Sequence, residues 1–211
     1  MSGLDIGFLV GAFVTLLVVI DPIGLAPIFV ALTPGAEARA RRAIALRACL
    51  LSAGLLAAFG LFGEELLAFV GISMPAFQIA GGLLLFLTAL DMLFERRTER
   101  RAGKAAGDDP AADPSVFPLA MPLIAGPGAM ASMILLTGQA QGNWTGIVAV
   151  HLVMLAVVAL CFAMLLAAGL IERGLGRIGT LVVTRLLGML LAALSVQFVL
   201  NGLDAIGVLD L

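Results

Sequence analysis

The sequence predicts an all-α, polytopic membrane protein of six transmembrane helices, built as 3+3 inverted-topology repeats with helices 1 and 4 broken. Three observations carry this expectation: an apolar composition, six long apolar segments, and a one-sided distribution of basic residues. Hydrophobic residues make up 62% of the 211-residue chain and charged residues 12%, against roughly 45–50% and roughly 25% in soluble domains. Too little polar surface remains to cover a water-soluble globule, so lipid must solvate much of the chain. The formal net charge of −2 gives nucleic acid no reason to bind.

A membrane-spanning helix needs about 20 largely apolar residues. Segments of that kind lie near 6–32, 43–63, 66–93, 117–138, 145–171 and 180–203. The first lacks a basic leader and runs into Asp-Pro-Ile-Gly rather than a small-residue cleavage site, so it reads as a retained span. All 12 basic residues fall in three places: 39–47, 96–104 and 173–185. Six crossings put those places on one face, leaving Asp5, Glu64, Glu65, Asp204 and Asp210 on the other. Basic loops stay cytoplasmic. The expected location is a bacterial inner (plasma) membrane, with both termini periplasmic.

The charged, Pro/Ala/Gly-rich stretch 95–116 reads as a cytoplasmic linker between a first repeat, 1–94, and a second, 117–211, within one integral membrane domain. Three spans per half is odd, so the halves enter the membrane from opposite sides. Both first spans carry paired prolines five apart with a glycine between: Pro22, Gly24 and Pro27 in one, Pro122, Gly126 and Pro127 in the other. Proline removes a backbone donor and glycine relaxes φ/ψ restraints. The carbonyls and N–H groups so freed must face protein or a polar cavity, never lipid. Such interruptions at corresponding positions of two halves are the best sequence pointer to a transporter site. Half-helix N-termini, expected near Asp21 in span 1 and near Gly128 in span 4, also favour an anionic group such as a carboxylate.

Candidate binding residues follow. Gly126, Pro127, Gly128, Ala129 and Met130 offer backbone N–H groups, joined by Pro122. Asp21 and Gly24 are candidates both for substrate and for a coupling ion. An intramembrane carboxylate costs about 2.5–3.5 kcal/mol on insertion scales, more than a Ser or Asn cap would, although Asp21-Pro22 is also a sound helix cap. Gln78, Gln197 and Asn201 are secondary candidates, with interhelical hydrogen bonding as their other reading. His151 and Trp144 read as packing or interfacial residues, and Cys49 and Cys161 as small buried hydrophobes. No HExxH, GxSxG or phosphate-binding loop occurs, so no catalytic residue, metal or cofactor is expected beyond a coupling Na⁺ or H⁺. The expected function is ion-coupled secondary transport of a small solute, the alternative a non-transporting structural or regulatory membrane protein; the expected partners are a small-molecule substrate and the bilayer.

The stretches DPIGLAPIF, GISMPAFQIAGG, FPLAMPLIAGPGA and RLLGMLLAALSVQFVLNGL resemble the MarC family of bacterial inner-membrane proteins, also described as neutral amino acid transporters. The resemblance covers essentially the whole chain. It implies six spans, periplasmic termini and movement of small neutral amino acids such as glycine and alanine. One position departs: relatives commonly carry Asn directly after the Asp-Pro-x-Gly run, where this chain has Leu25.

Overall fold

The computed structural model describes residues 6–94, 114–140 and 143–208. Every regular element among them is helical: α1 (Ile6–Ile20), α2 (Pro22–Leu32), α3 (Ala38–Val70), α4 (Met74–Leu93), α5 (Ser115–Ile124), α6 (Pro127–Gln139), α7 (Trp144–Leu166) and α8 (Ala168–Asp204). Among the described residues, five stretches are long and apolar enough to cross a membrane: Ile6–Leu32, α3, α4, α7 and Ile178–Asp204. The sixth expected segment, 117–138, is instead two short elements. The 13 residues of α6 rise about 20 Å, short of the roughly 30 Å hydrocarbon core. The linker, apart from its last three residues, lies outside the described residues; Ser115 and Val116 already belong to α5.

Two boundaries differ from expectation. The second and third spans were expected to part near Glu64 and Glu65, yet α3 continues through both to Val70. The stop comes at Gly71, whose left-handed φ of 81° caps α3. A new start follows at Ser73, whose side chain accepts from Ala76 N at 3.4 Å with Pro75 in the first turn. An exposed acidic pair is compatible with helix, whereas left-handed glycine followed by Ser-x-Pro is a true stop and start. At the other boundary, α7 ends at Leu166 and α8 begins two residues later, but Gly176 (φ 61°, ψ −179°) interrupts α8.

The bundle presents large apolar side chains outward. Phe62, Phe69, Leu83, Leu87, Leu152 and Leu186 are all exposed, the expected surface for a protein whose solvent is lipid. Small residues hold the interior together. Helices α4 and α8 pack antiparallel, and a Cβ on Gly82 would sit only 2.8 Å from the Ser195 carbonyl oxygen. Further along the same seam, a Cβ on Gly202 would meet the Pro75 carbonyl oxygen at 3.0 Å. Close backbone approach of this kind is how helices associate where no hydrophobic drive exists between them. At the centre stands α6, packed against α1, α3, α4 and α7 and buried continuously from Ala131 to Thr137.

Candidate functional site

Asp21 both ends α1 and starts α2. Its N–H donates to Leu17 O at 2.9 Å, closing the last turn of α1, and its own carbonyl accepts from Leu25 N at 3.0 Å. Between these bonds the backbone turns left-handed (φ 54°, ψ 65°). Among the described residues Asp21 is the one non-glycine with positive φ. The residue type and its successor explain this: a following proline disfavours the right-handed helical conformation, and Asp tolerates the left-handed one. The side chain then caps α2, Oδ1 accepting from Gly24 N at 3.0 Å. A Cβ on Gly24 would overlap the carboxylate, so glycine three residues on lets the carboxylate fold over the helix start. The group is 1% exposed.

The second interruption is built differently. In α5 the backbone is extended at Phe117 (φ −129°, ψ 129°) and Met121 (φ −129°, ψ 122°), each of which precedes a proline that pushes it there. Irregular backbone at this depth needs partners, and Ser52 of α3, fully buried, reaches the Ala120 carbonyl at 3.3 Å. The chain then passes through Ala125 (φ −88°, ψ 59°) and Gly126 (φ −76°, ψ 168°) before α6 begins at Pro127. Gly126 has no side chain, so the N-cap residue itself offers no side-chain acceptor to the first-turn N–H groups of α6.

The two interruptions lie side by side. A Cβ on Gly128 would sit 3.3 Å from Val19 Cγ1, 3.3 Å from Leu85 Cδ2 and 3.8 Å from Thr88 Oγ1. Val19 precedes Asp21 by two residues, a rise of about 3 Å along α1. The helix-starting prolines are Pro22 and Pro127, where half-helix starts near Asp21 and Gly128 are expected. Pro27 lies inside α2 and Pro122 inside α5. The five-residue spacing shared by the two halves therefore does not mark equivalent positions.

A pocket of about 150 Å³ opens between α1, α6 and α8. Its polar lining is Thr15, Gln139, Gln197 and Asn201, and Phe8 and Phe198 are among its apolar walls. Gln197 Nε2 donates to Asn201 Oδ1 at 2.8 Å. Helices α1 and α6 run antiparallel here, with Val19 against Gly128 at one end and Phe8 and Gln139 sharing the pocket at the other. Thr15 lines the pocket, and Ser132 lies one turn of α6 from Gly128 on one side and from the pocket residue Leu136 on the other. Ser132 is fully buried, and its hydroxyl has no hydrogen-bond partner among the described residues.

Of the sequence candidates, the structure gathers Asp21, Gly24, Gly126, Gly128, Ala129 and Met130 around the breaks, with Pro127 exposed at the start of α6. Gln197 and Asn201 line the pocket, while Gln78, half-buried on α4, lies outside it. Sequence reasoning missed Thr15, Ser52, Ser132 and Gln139. The first three are hydroxyls within apolar helices, a weak signal without knowledge of which faces meet. His151 packs α7 against α3, with Nδ1 2.8 Å from Ile147 O and Nε2 3.4 Å from Ala57 O. Cys49 and Cys161 are buried neighbours not joined by a disulfide, their thiols within hydrogen-bonding reach of one another. Among the described residues no three His, Cys, Asp or Glu side chains converge as metal ligands.

Comparison with known proteins agrees along the length of the chain. Residues 6–206 match the MarC family of integral membrane proteins. The UPF0056 membrane protein MJ1677 of Methanocaldococcus jannaschii is 32% identical over 95% of this chain and 98% of its own length. YvbG of Bacillus subtilis, another UPF0056 membrane protein, is 36% identical over 93% of this chain and 94% of its own. The UPF0056 inner membrane protein YhgN of Escherichia coli K12 is 34% identical over 92% and 95% respectively. No solved structure matches. Family model, relatives and helical architecture agree: this chain belongs to the MarC family of integral membrane proteins.

Proposed function

We propose that the protein is a secondary transporter of small neutral amino acids, or solutes of similar size and polarity, driven by a Na⁺ or H⁺ gradient. One observation carries the reading: two interrupted helices lie side by side in an apolar bundle, and one of the interruptions is a buried carboxylate. Helix ends, freed backbone groups and an ionisable side chain are the elements from which midplane transporter sites are made. The uncapped first turn of α6, at Gly128 and Ala129, suits a substrate carboxylate. Asp21 and the backbone beside it suit an ammonium group or a coupling cation. The pocket of about 150 Å³ is half or less of the range of about 300–1,000 Å³ common for drug-sized ligands, which favours a solute of a few heavy atoms. Its lining of amides, hydroxyls and aromatics bears no formal charge, as suits an antechamber for a zwitterion.

In this reading the α5–α6 unit completes six crossings and the halves have inverted topology. The basic residues face the cytoplasm and both termini lie outside. The chain acts as a carrier rather than an enzyme, and its partners are the solute and the bilayer. Uptake of labelled glycine and alanine into proteoliposomes, under imposed Na⁺ or H⁺ gradients, tests the proposal. Expected is gradient-dependent accumulation that Asp21→Asn abolishes. Uptake no greater than that of empty liposomes, in wild type and variant alike, rejects it for these substrates.

A further inference from the structure

A second cavity, of about 290 Å³, lies where α2 and α7 end and α3 and α8 begin. Arg41 and Arg42 supply its charge, and Phe29, Val30, Leu165 and Leu166 form an apolar wall. Arg41 is half-buried. Its Nε and Nη2 donate to the Thr33 carbonyl at 3.3 and 3.0 Å, which fixes one edge of the guanidinium and anchors the end of α2. Thr33 is itself held, its hydroxyl donating to Phe29 O at 2.8 Å. Arg42 follows on α3 and is exposed. Glu37, at the N-cap of α3, is exposed and is not among the residues lining the cavity.

We propose that this cavity binds an anionic phospholipid, with Arg41 and Arg42 holding the phosphodiester and the apolar wall receiving the glycerol and upper acyl carbons. Three features favour that occupant over a soluble anion. Guanidinium groups match phosphate oxygens in geometry and charge. The cavity sits at the ends of apolar helices, the depth of the headgroup layer, where basic pockets between helices take anionic lipids. One side of the cavity offers accessible aliphatic surface at Val30 and Leu166, backed by buried Phe29 and Leu165, which a free phosphate cannot use but an acyl chain can. The inference is independent of whether the protein transports anything.

The test is lipid binding to the purified protein in neutral detergent, read by native mass spectrometry and by thermal unfolding. Short-chain phosphatidylglycerol, phosphatidylcholine of equal chain length, and glycerol 3-phosphate are titrated in parallel. Phosphatidylglycerol alone is expected to be retained and to raise the unfolding temperature. Arg42→Gln should weaken it about tenfold, the equivalent of one charge-assisted hydrogen bond, while Arg39→Gln, exposed on the same turn but outside the cavity, should not. Arg41→Lys keeps the charge and loses the fork; it tests the phosphate geometry should Arg41→Gln fail to fold. Equal retention of phosphatidylcholine, equal weakening by Arg39→Gln, or an equal effect of glycerol 3-phosphate would each overturn the proposal.

Discussion

Replacing Asp21 separates two roles that one side chain combines. As a structural group it occupies a left-handed backbone conformation and caps α2 through Gly24 N; as a charge it is buried within the bundle. Asparagine keeps the first role, because it tolerates the left-handed region and caps helices as well as aspartate does. It also removes a carboxylate whose insertion costs about 2.5–3.5 kcal/mol. Asp21→Asn is therefore expected to unfold at or above the wild-type temperature in detergent. Alanine keeps neither role. A lost cap costs about 0.5–2 kcal/mol and left-handed backbone at an alanine about 1–2 kcal/mol, so Asp21→Ala should be less stable than Asp21→Asn by about 1.5–4 kcal/mol. Thermal unfolding of the three proteins, with gradient-driven uptake measured on the same preparations, reads both roles at once. A stable Asp21→Asn protein without uptake assigns the charge to function. If Asn destabilises as strongly as Ala, the capping account is wrong; if Asn retains full gradient-dependent uptake, the charge plays no part in transport.

Other substitutions test other parts of the structure. Gly82→Ala puts a methyl 2.8 Å from a backbone oxygen of α8, where nothing flexible can yield, and should cost about 1–3 kcal/mol in detergent unfolding. Ser132→Ala removes a buried hydroxyl that has no partner among the described residues, so stability should hold or rise by about 1–3 kcal/mol; a loss in the same assay would mean that the hydroxyl is satisfied. Gln197→Ala and Asn201→Ala change exposed side chains that line the pocket. Each should leave stability within about 0.5 kcal/mol while raising the substrate concentration for half-maximal uptake.

The fold was legible in the sequence wherever lipid dictates composition, and the breaks were legible through proline and glycine. Asp21 was found because a carboxylate amid apolar residues has few explanations. The proline spacing by itself does not supply phase. Pro22/Pro27 and Pro122/Pro127 share a spacing, yet the first of one pair and the second of the other start helices. The choice rests on the neighbours: Asp21 can cap a helix before Pro22, whereas the residue before Pro122 is Met121, which extends instead. Thr15 and Ser132 were illegible for a related reason. Each is an ordinary hydroxyl in an apolar helix until the packing shows Thr15 lining the pocket and Ser132 fully buried. Glu64 and Glu65 misled in the other direction, since charge was mistaken for a chain reversal that only Gly71 produces.

The shortness of α6 bears on how the protein is made. It is too brief to be held by the bilayer alone, and the surfaces that bury it come largely from α1, α3 and α4, synthesised earlier. A nascent chain must therefore deliver α6 into a cradle already assembled from its own N-terminal portion. Fragments severed at the linker should accordingly be prey to quality-control proteolysis when made singly and survive when made together.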